Sequence, residues 1–579
     1  MDPLAAFKKA EVLGSRSKND VSVSPQQQNV YQSKPISEFK PQQLPGISAP
    51  PTSYEPQPRQ PPQQPPQQQQ QQPPQQPQPS FIQNPLVQSV NAVSANKPRE
   101  VKILAYQNKF LLDLQQTYKS NRSNNGSHEI INIPGPDTTP LIKTYQNDSK
   151  KLRVLFCGTY PIGQSNGYSR VVYYISKYLG RHEDDLQFTV YGFQNYQQTA
   201  GSETRSDIPT NVILHDALAT EEPRRHGFGE KEIAGFLRKN PQDIVIIFND
   251  MVVTGSIVQT IMNEMSAYER SKFLLVSYMD QVYPYQKKIY MDMLNNYFDA
   301  IIAFTPYWRK TVRILGLNKE IPCFVFPHGF DHELYYPIPR KTARIFFNLP
   351  EDAFVVLNLN RNQPRKRWDQ TMIAFAEFTA EYYKYTVANP TKKVRPIRLL
   401  VGTSLDGPWD IKEVYHHELH LRGVPHSFAE HFIVALSNPQ QLSDKDINVL
   451  YNACDVGINT CEGEGYGLCQ IEHLAVGAPQ VCPKIGGLQE FLSNENSTLI
   501  EAKWKYYIDK GRDGIGGIAE VGCPIEYGQA LWKYYMDPKL CEKHAKQGRK
   551  DILTHYRWET VVEYFYHLLK HISKDVKKR

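Results

Sequence analysis

The chain has 579 residues, of which 66 are basic and 59 acidic, and its formal charge of +7 is too small to indicate a nucleic-acid partner by itself. Hydrophobic residues make up 40% of the chain, enough for a sizeable core, yet proline outnumbers glycine by 43 to 33, which indicates a disordered segment beside the folded part. No stretch approaches the roughly 20 apolar residues that span a bilayer, and the start at Met1 lacks a secretory signal pattern, so we expect a cytoplasmic protein.

Residues 1–150 have the composition of an unfolded tail. Every residue from Pro56 to Pro79 is proline or glutamine except Arg59, and such a stretch buries too little apolar surface to offset the entropy of ordering it. The tail is either a tether that binds a partner or a featureless extension. One island, residues 101–119, has apolar residues at helical spacing with lysines between them, which predicts a short helix docked on the folded body, on a partner or peripherally on an anionic membrane surface.

From Lys151 onward, short β-branched runs alternate with amphipathic helical patterns, which predicts parallel sheets covered by helices on both faces. The first set of predicted strands is Leu152–Cys157, Gln187–Phe193, Asn211–His215, Asp243–Phe248, Lys272–Ser277, Asp299–Phe304 and Pro322–Phe326. The second set is Ala353–Leu359, Ile397–Val401, Phe432–Ala435, Asp455–Asn459 and Gln480–Cys482.

The two sets predict an α/β protein with two doubly wound, Rossmann-like domains, over residues 151–338 and 339–579. The polar segment His332–Lys341 is the predicted linker between them, and Trp558–Ile572 is a predicted terminal helix. Ligands bind at the carboxyl edges of strands in such sheets. We therefore expect the edges of the two sheets to face each other across a cleft that holds a nucleotide and the group attached to it.

The strongest chemical signal is the segment 464–472 (EGYGLCQIE), which follows a predicted strand and opens a short helix. Gly465 and Gly467 allow the backbone to approach a ligand closely. The backbone amides that open the helix suit a diphosphate; they belong to Gly467, Leu468 and Cys469. Glu464 is placed to hold sugar hydroxyls, and Glu472 to accept the hydroxyls of a ribose. The alternative is a glycine-rich turn with two surface glutamates.

This segment resembles the E-x7-E signature of retaining glycosyltransferases of family 4, also called group 1 glycosyltransferases, and the resemblance extends over most of residues 151–579. Members of that family have the two-domain GT-B fold and transfer a sugar from a nucleoside-diphosphate donor with retention at the anomeric carbon. The resemblance implies that the donor binds mostly to the second domain and the acceptor to the first.

Residues 360–369 (NRNQPRKRWD) resemble the family's Arg…Lys-x-x-Asp segment, whose cations grip the donor diphosphate and map onto Arg361 and Lys366. Breaking a glycosyl–phosphate bond builds negative charge on the leaving group, and fixed cations in a dry cleft stabilise it. The alternative is a basic loop at a helix start. Sequence does not separate the roles of the neighbouring Arg365 and Arg367.

Two further segments of the first domain resemble the family more weakly. Gly163 and Gly167 resemble the glycine-rich loop beside the donor phosphates, and Arg170, which follows, is a candidate phosphate contact. The segment 327–331 resembles the family's Gly-hydrophobic-Asp segment at the end of the first domain, where His328 is either structural or chemical.

The stretch 277–281 departs from the family, because many members carry a histidine there, near the donor sugar. Asp280 is the candidate in its place for contacting a sugar hydroxyl or the acceptor. Retaining transfer does not require that histidine, since the leaving phosphate can deprotonate the incoming hydroxyl.

We predict no metal site and no cofactor beyond the donor. All eight cysteines lie beyond residue 150 without a CxxC pair, which disfavours zinc and redox sites. The run Asp444-Lys445-Asp446 follows Ser443 and precedes an apolar helical pattern, as at a helix start. Arg361, Lys366 and helix amides would supply the positive charge of a metal ion.

Two function classes remain. The first is a metal-independent retaining glycosyltransferase with Glu464, Arg361, Lys366 and Asp280 as its catalytic set. The second is a GT-B sugar- or nucleotide-binding adaptor without transfer activity, motivated by the missing histidine and the Gln/Pro tail. Nucleic-acid binding is not expected, since only a modest positive charge favours it. Sequence names neither the donor base and sugar nor the acceptor, which is a glycan, a lipid, a protein or a small molecule.

Overall fold

The computed structural model describes residues 151–576, except 164–165, 196–204, 222–225, 437–441 and 509–515. The predicted tail and its 101–119 helix lie outside the described residues.

Seven parallel strands form the first sheet in the order β3-β2-β1-β4-β5-β6-β7. All six side chains of β4 are buried, because helices cover both faces of a parallel sheet. The strands are β1 Leu152–Thr159, β2 Leu186–Phe193, β3 Ile213–Asp216, β4 Ile244–Asn249, β5 Leu274–Met279, β6 Ala300–Ala303 and β7 Cys323–Val325. The helices are α1 Gly167–Leu179, α2 Ala217–Thr220, α3 Ile233–Lys239, α4 Met251–Glu264, α5 Ala267–Arg270, α6 Lys288–Tyr297 and α7 Pro306–Ile314.

Six parallel strands form the second sheet in the order β10-β9-β8-β11-β12-β13. The strands are β8 Phe354–Asn358, β9 Ile397–Val401, β10 Ile433–Ala435, β11 Val456–Ile458, β12 Gln480–Pro483 and β13 Thr498–Ile500. The helices are α8 Arg340–Phe346, α9 Trp368–Ala388, α10 Ile411–Leu421, α11 His426–Ala429, α12 Asp444–Ala453, α13 Leu468–Ala475, α14 Pro524–Met536, α15 Pro538–His555 and α16 Trp558–Val576, with 3-10 turns at Pro364–Lys366 and Gly486–Glu490. We call the first sheet with its helices the first lobe and the second sheet with its helices the second lobe.

A two-stranded antiparallel hairpin, β14 (Ala502–Ile508) with β15 (Gly517–Gly522), follows the second sheet. Neither this hairpin nor the short β13 is among the predicted strands. Lysines and aromatic residues alternate along β14, and its central five residues are exposed. Its pattern therefore lacks the apolar run by which the buried strands were recognised.

The last helix of the chain returns to the first lobe. The ring of Trp558 stacks on Tyr174 of α1 with centroids 5.0 Å apart, and Phe565 stacks on Phe326 at 4.4 Å. The Tyr566 hydroxyl donates to Asp185 at 2.6 Å. Helix α16 thus closes the core of the lobe from which it is most distant in sequence, while the domain boundary between residues 338 and 339 stays a prediction.

The predicted strands all overlap observed ones, with no end shifted by more than two residues. The two doubly wound parallel sheets confirm the expected α/β architecture. The predicted linker His332–Lys341 follows β7 and ends two residues into α8. Within it, the backbone amides of Tyr336 and Ile338 donate to Asn448 and Asn452 of α12.

Candidate active site

Each sheet has a point at which the strand order reverses, between β1 and β4 in the first and between β8 and β11 in the second. Loops that leave adjacent strands at such a switch point diverge and open a crevice for ligands. The candidate residues Gly163, Arg361, Lys366 and Glu464 all follow β1, β8 or β11. The fold therefore places them at the switch points of the two sheets.

Glu464 lies buried between two cations. Its Oε2 accepts from Lys366 Nζ at 2.5 Å, and its Oε1 lies 3.7 Å from Arg365 Nη1. Burial raises the pKa of the Glu464 carboxyl, but Lys366 and Arg365 outweigh it, so the net effect lowers that pKa below its usual range. The site therefore holds an ionised carboxylate beside two fixed cations.

The structure separates the four basic residues that follow β8. Arg365 is buried and donates to the Gly463 carbonyl at 2.6 Å, so it belongs to the site with Lys366. Arg367 instead pairs with Asp369 at 2.6 Å, within its own helix start. The Arg361 side chain is exposed, unlike those of Arg365 and Lys366.

The turn before α13 lets the backbone pass closely between the lobes. Gly467 has a φ of +99°, and a Cβ there would lie 2.6 Å from Leu488 Cδ2. A Cβ on Gly465 would lie 2.7 Å from an oxygen of Asp280. Within the described ranges no side chain caps the amino end of α13, where Leu468 and Cys469 are half-buried. Its first amides therefore point to an anion as their partner.

The glycine-rich loop of the first lobe approaches that same helix. Gly163 has a φ of +78°, a backbone conformation that glycine adopts at little cost. Gly167 opens α1, and a Cβ there would lie 3.3 Å from Leu468 Cδ1. The structure thus brings both predicted loops together across the cleft.

Glu472 is buried, and its carboxylate accepts three hydrogen bonds from two side chains. Arg170 Nη1 donates to Oε1 at 2.9 Å and to Oε2 at 3.1 Å, and the Tyr451 hydroxyl donates to Oε2 at 2.8 Å. Burial raises the pKa of Glu472, and Arg170 only partly offsets it. Arg170, expected to contact phosphate, lies instead on the carboxylate predicted to hold the ribose.

Arg170 continues this network to α12. Its Nη2 donates to Asp444 Oδ1 at 3.0 Å and also contacts the Tyr335 hydroxyl. Arg205 Nε lies 3.2 Å from the other oxygen of Asp444. Sequence reasoning identified Asp444 only as part of a helix start, which the Ser443–Asp446 capping box confirms. No sequence signal linked Asp444 to arginines more than 200 residues away.

Asp280 follows β5 and faces the turn at Gly465. The Tyr168 hydroxyl donates to its Oδ2. Burial raises the pKa of Asp280, while the hydrogen bond from Tyr168 and the charge of Arg365 act in the opposite direction. Glu464 and Glu472 are held by cations, whereas the Asp280 carboxyl is held by the hydroxyl of Tyr168, a side chain of the first lobe.

His328 is a packing residue. Its ring lies 4.4 Å from that of Phe304 and 4.8 Å from that of Tyr466, and neither ring nitrogen has a hydrogen-bond partner among the described residues. Burial lowers its pKa to about 3, so the ring is neutral.

No protein-family model matches the chain. Among curated proteins, the chain is similar to the D-inositol 3-phosphate glycosyltransferase 2 of Catenulispora acidiphila, with 27% identity over 205 residues, which are 35% of this chain and 44% of that protein. The chain spans about half the length of the curated relatives it matches.

Among solved structures, the chain is similar to Anabaena HepE in complex with UDP and glucose, with a TM-score of 0.51 and 16% identity over 72% of this chain and 100% of that one. It is equally similar to the sucrose-phosphate synthase of Thermosynechococcus elongatus, with a TM-score of 0.51 and 16% identity over 73% and 99% of the two chains. The chain has the GT-B fold and resembles the family 4 glycosyltransferases.

One carboxylate of this GT-B cleft was missed by sequence reasoning. Glu462 is completely buried, and it accepts from Tyr283 of the first lobe at 3.2 Å, from Arg367 at 3.4 Å and from Tyr506 of the hairpin. It therefore ties both lobes and the hairpin to the segment that carries Glu464. Its separation by only two residues from Glu464 is the one signal that sequence offered.

Two absences concern only the described part of this GT-B chain. There, no group of three or more His, Cys, Asp or Glu side chains is placed to hold a metal ion. Nor is any described helix both long and apolar enough to cross a membrane.

Proposed function

We propose that the chain is a retaining glycosyltransferase that moves a sugar from a nucleoside-diphosphate sugar to an acceptor hydroxyl. One observation carries the proposal: Arg365 and Lys366 converge on Glu464 beside the uncapped amino end of α13. This arrangement offers positive charge for a departing diphosphate and a fixed carboxylate for the hydroxyls of the sugar.

In this proposal, the chain's cations and dipoles carry the chemistry. Lys366, Arg365 and the first amides of α13 stabilise the charge on the leaving diphosphate, and each charge-assisted contact contributes about 1.5–3 kcal/mol. Arg361 reaches the same diphosphate, and Glu464 orients the donor sugar. The acceptor hydroxyl loses its proton to the leaving phosphate as its oxygen bonds to the anomeric carbon. Asp280 orients that hydroxyl from the first lobe.

The donor nucleotide can be identified by thermal unfolding of the purified protein with UDP, GDP, ADP and TDP, each with and without magnesium. UDP is the first choice, since HepE was crystallised with UDP and with UDP-glucose. A nucleotide at 100 times its dissociation constant stabilises the folded state by about 2.7 kcal/mol. We expect one nucleotide to raise the melting temperature, equally with and without magnesium. The Glu472→Ala variant should not respond. No shift with any of the four contradicts the proposal.

Glu464→Gln tests the role of the carboxylate. The variant keeps the shape of the side chain but loses its charge, so we expect transfer to slow by about a hundredfold, a typical loss for a transition-state contact. Nucleotide affinity should change only a few-fold. The exposed Glu501→Gln is the matched control. A kcat equal to that of the unmodified protein would exclude Glu464 from the reaction.

The second candidate is a GT-B adaptor that binds a sugar or nucleotide without transferring it. The observation that favours it is the occupation of both Glu472 oxygens by Arg170 and Tyr451. The adaptor predicts nucleotide binding with no release of nucleoside diphosphate from any sugar donor. The enzyme predicts slow donor hydrolysis even without an acceptor.

A further inference from the structure

The loop 281–287 leaves β5 directly after Asp280 and lies beneath the β14–β15 hairpin. Val282 and Tyr283 of this loop pack in one buried cluster against side chains of the hairpin: Ile508, Ile518 and Ala519. The hairpin of the second lobe therefore covers a first-lobe loop beside the candidate active site.

Buried polar groups without partners concentrate on these two facing elements. Gln281 is 1% exposed, and neither its amide oxygen nor its nitrogen has a hydrogen-bond partner within the described residues. The same holds there for Nε2 of the buried Gln286. Oε1 of Glu520, which is 2% exposed, also lacks a hydrogen-bond partner there and lies 3.8 Å from Lys505 Nζ. Folded proteins pair nearly all buried polar groups, since an unpaired one is costly. A group of them at one interface indicates a place where another molecule supplies the partners.

The backbone and the neighbouring contacts place this interface at the reaction centre. Tyr285 has a φ of +73°, a conformation that bulky residues adopt rarely and mostly at functional sites. The Tyr283 hydroxyl donates to Glu462, and the Glu520 amide donates to the Glu462 carbonyl at 3.1 Å. A Cβ on Gly463 would lie 2.0 Å from the Tyr283 ring, so this loop packs directly against the segment of Glu464.

We propose that the facing sides of the 281–287 loop and the β14–β15 hairpin form the acceptor subsite, and that its ligand is an uncharged polyol such as a sugar or cyclitol ring. This inference rests on the proposed function. Amides and a carboxyl group offer both donors and acceptors, as does each hydroxyl of a polyol. Tyrosines at the interface suit the faces of a ring.

In this proposal the lobes open to admit the ligand, because the 281–287 loop and the hairpin that packs on it belong to different lobes. The tyrosine contacts to Glu462 then re-form over the bound ring. The acceptor hydroxyl would thereby lie between Asp280 and the turn at Gly465, where the sugar is transferred.

The test measures polyol binding to the full chain in saturating UDP, with myo-inositol and D-glucose as probes, by saturation-transfer difference NMR. Gln281→Met and Gln286→Met keep the side-chain volume but remove the amide. Each should weaken polyol binding about fivefold or more, the effect of one or two lost hydrogen bonds. UDP affinity should stay within twofold. Thermal stability should stay equal or rise, because an unpartnered buried amide is removed.

The matched control is Gln242→Met. Gln242 is likewise buried with an unpartnered Oε1 among the described residues, but it precedes β4 at the amino edge of the first sheet. It should leave polyol binding unchanged. The subsite proposal is overturned if Gln281→Met and Gln286→Met bind polyols as tightly as the unmodified protein does. It is also overturned if the unmodified protein binds UDP but no polyol. A third outcome separates the two proposals. If the unmodified protein binds polyols but none of the nucleotides, and the loop variants lose polyol binding, the subsite is supported and the glycosyltransferase proposal is rejected.

Discussion

The occupation of Glu472 is the most consequential contact of a single residue. Its carboxylate receives Arg170 at 2.9 and 3.1 Å and Tyr451 at 2.8 Å, so its capacity to accept further hydrogen bonds is largely used. A ribose that binds Glu472 must displace Arg170. Because binding to a site that is only partly available weakens the apparent affinity, the proposed ribose contact at Glu472 predicts that Arg170 lowers the affinity for the donor.

Arg170→Gln should therefore increase nucleotide affinity, by about threefold to tenfold if Arg170 occupies Glu472 most of the time. Titration calorimetry with the nucleotide identified above measures it. Lys177→Gln, on the same helix and paired with Asp207, is the control and should change nothing. A loss of affinity in Arg170→Gln would instead place Arg170 on the diphosphate, as sequence reasoning expected.

At the scale of elements, the turn before α13 combines a special backbone conformation with a tight contact. Gly467 and Gly477 stand at the two ends of α13 with nearly equal φ values of +99° and +101°. A Cβ at Gly467 would meet Leu488 at 2.6 Å, whereas one at Gly477 would meet nothing within 4 Å. The two positions thus separate backbone strain from steric contact.

Gly477→Ala should cost about 1–2 kcal/mol of unfolding free energy from strain alone. Gly467→Ala should lower the unfolding free energy by about 1–3 kcal/mol more than Gly477→Ala does, because its Cβ displaces Leu488. It should also weaken nucleotide binding. Urea unfolding and nucleotide titration of both variants measure these effects. Equal stabilities would show that Leu488 moves aside at no cost.

Glu520 of the hairpin should make the free energy of unfolding depend on pH. Burial raises its pKa to about 8, with Lys505 partly offsetting the effect. An unfolded glutamate loses its proton near pH 4.5, so the folded protein holds one more proton between about pH 4.5 and 8. The unfolding free energy contributed by Glu520 is therefore fully present below that window and falls as the pH rises through it.

Glu520→Gln should remove this dependence. Relative to the unmodified protein, the variant should gain stability progressively from pH 5 to pH 8, by on the order of 2–4 kcal/mol. Urea unfolding at pH 5, 6.5 and 8 measures the gain, and the exposed Glu501→Gln should show none. A difference between variant and parent that is constant with pH would mean that Glu520 ionises normally in the folded state.

At the scale of the whole molecule, the chain crosses back on itself. Helix α16 follows the entire second lobe, yet it packs on α1 and β7 of the first through Trp558, Phe565 and Tyr566. The Lys570 ammonium pairs with Asp185, the residue directly before β2. The stability of the first lobe thus depends on residues almost 400 positions downstream of its first helix.

Trp558→Ala tests this dependence. Loss of a large buried aromatic side chain costs about 3–5 kcal/mol, and we expect faster hydrogen exchange in α1, although the substitution lies in the last helix. Trp504→Ala, on the exposed face of the hairpin, is the matched control and should leave exchange in α1 unchanged. Exchange that increased only in the second lobe would show that α16 stabilises that lobe instead.

The sequence by itself determined the features that neighbouring residues encode. Apolar runs located every strand of the first sheet and every strand of the second except β13, since a buried parallel strand needs such a run whatever it pairs with. The Ser443–Asp446 capping box and the turn at Gly467 were equally readable, because local backbone geometry demands those residue types.

Only the tertiary structure decided which distant charges meet. Arg170 and Glu472 are 302 residues apart, and nothing local to either one predicts the pair. Arg365 and Arg367 look equivalent in sequence, but one turn of backbone directs the first to Gly463 and the second to Asp369. Hydrophobic periodicity records whether a residue is buried but not what it is buried against, because the partner depends on how the two lobes dock.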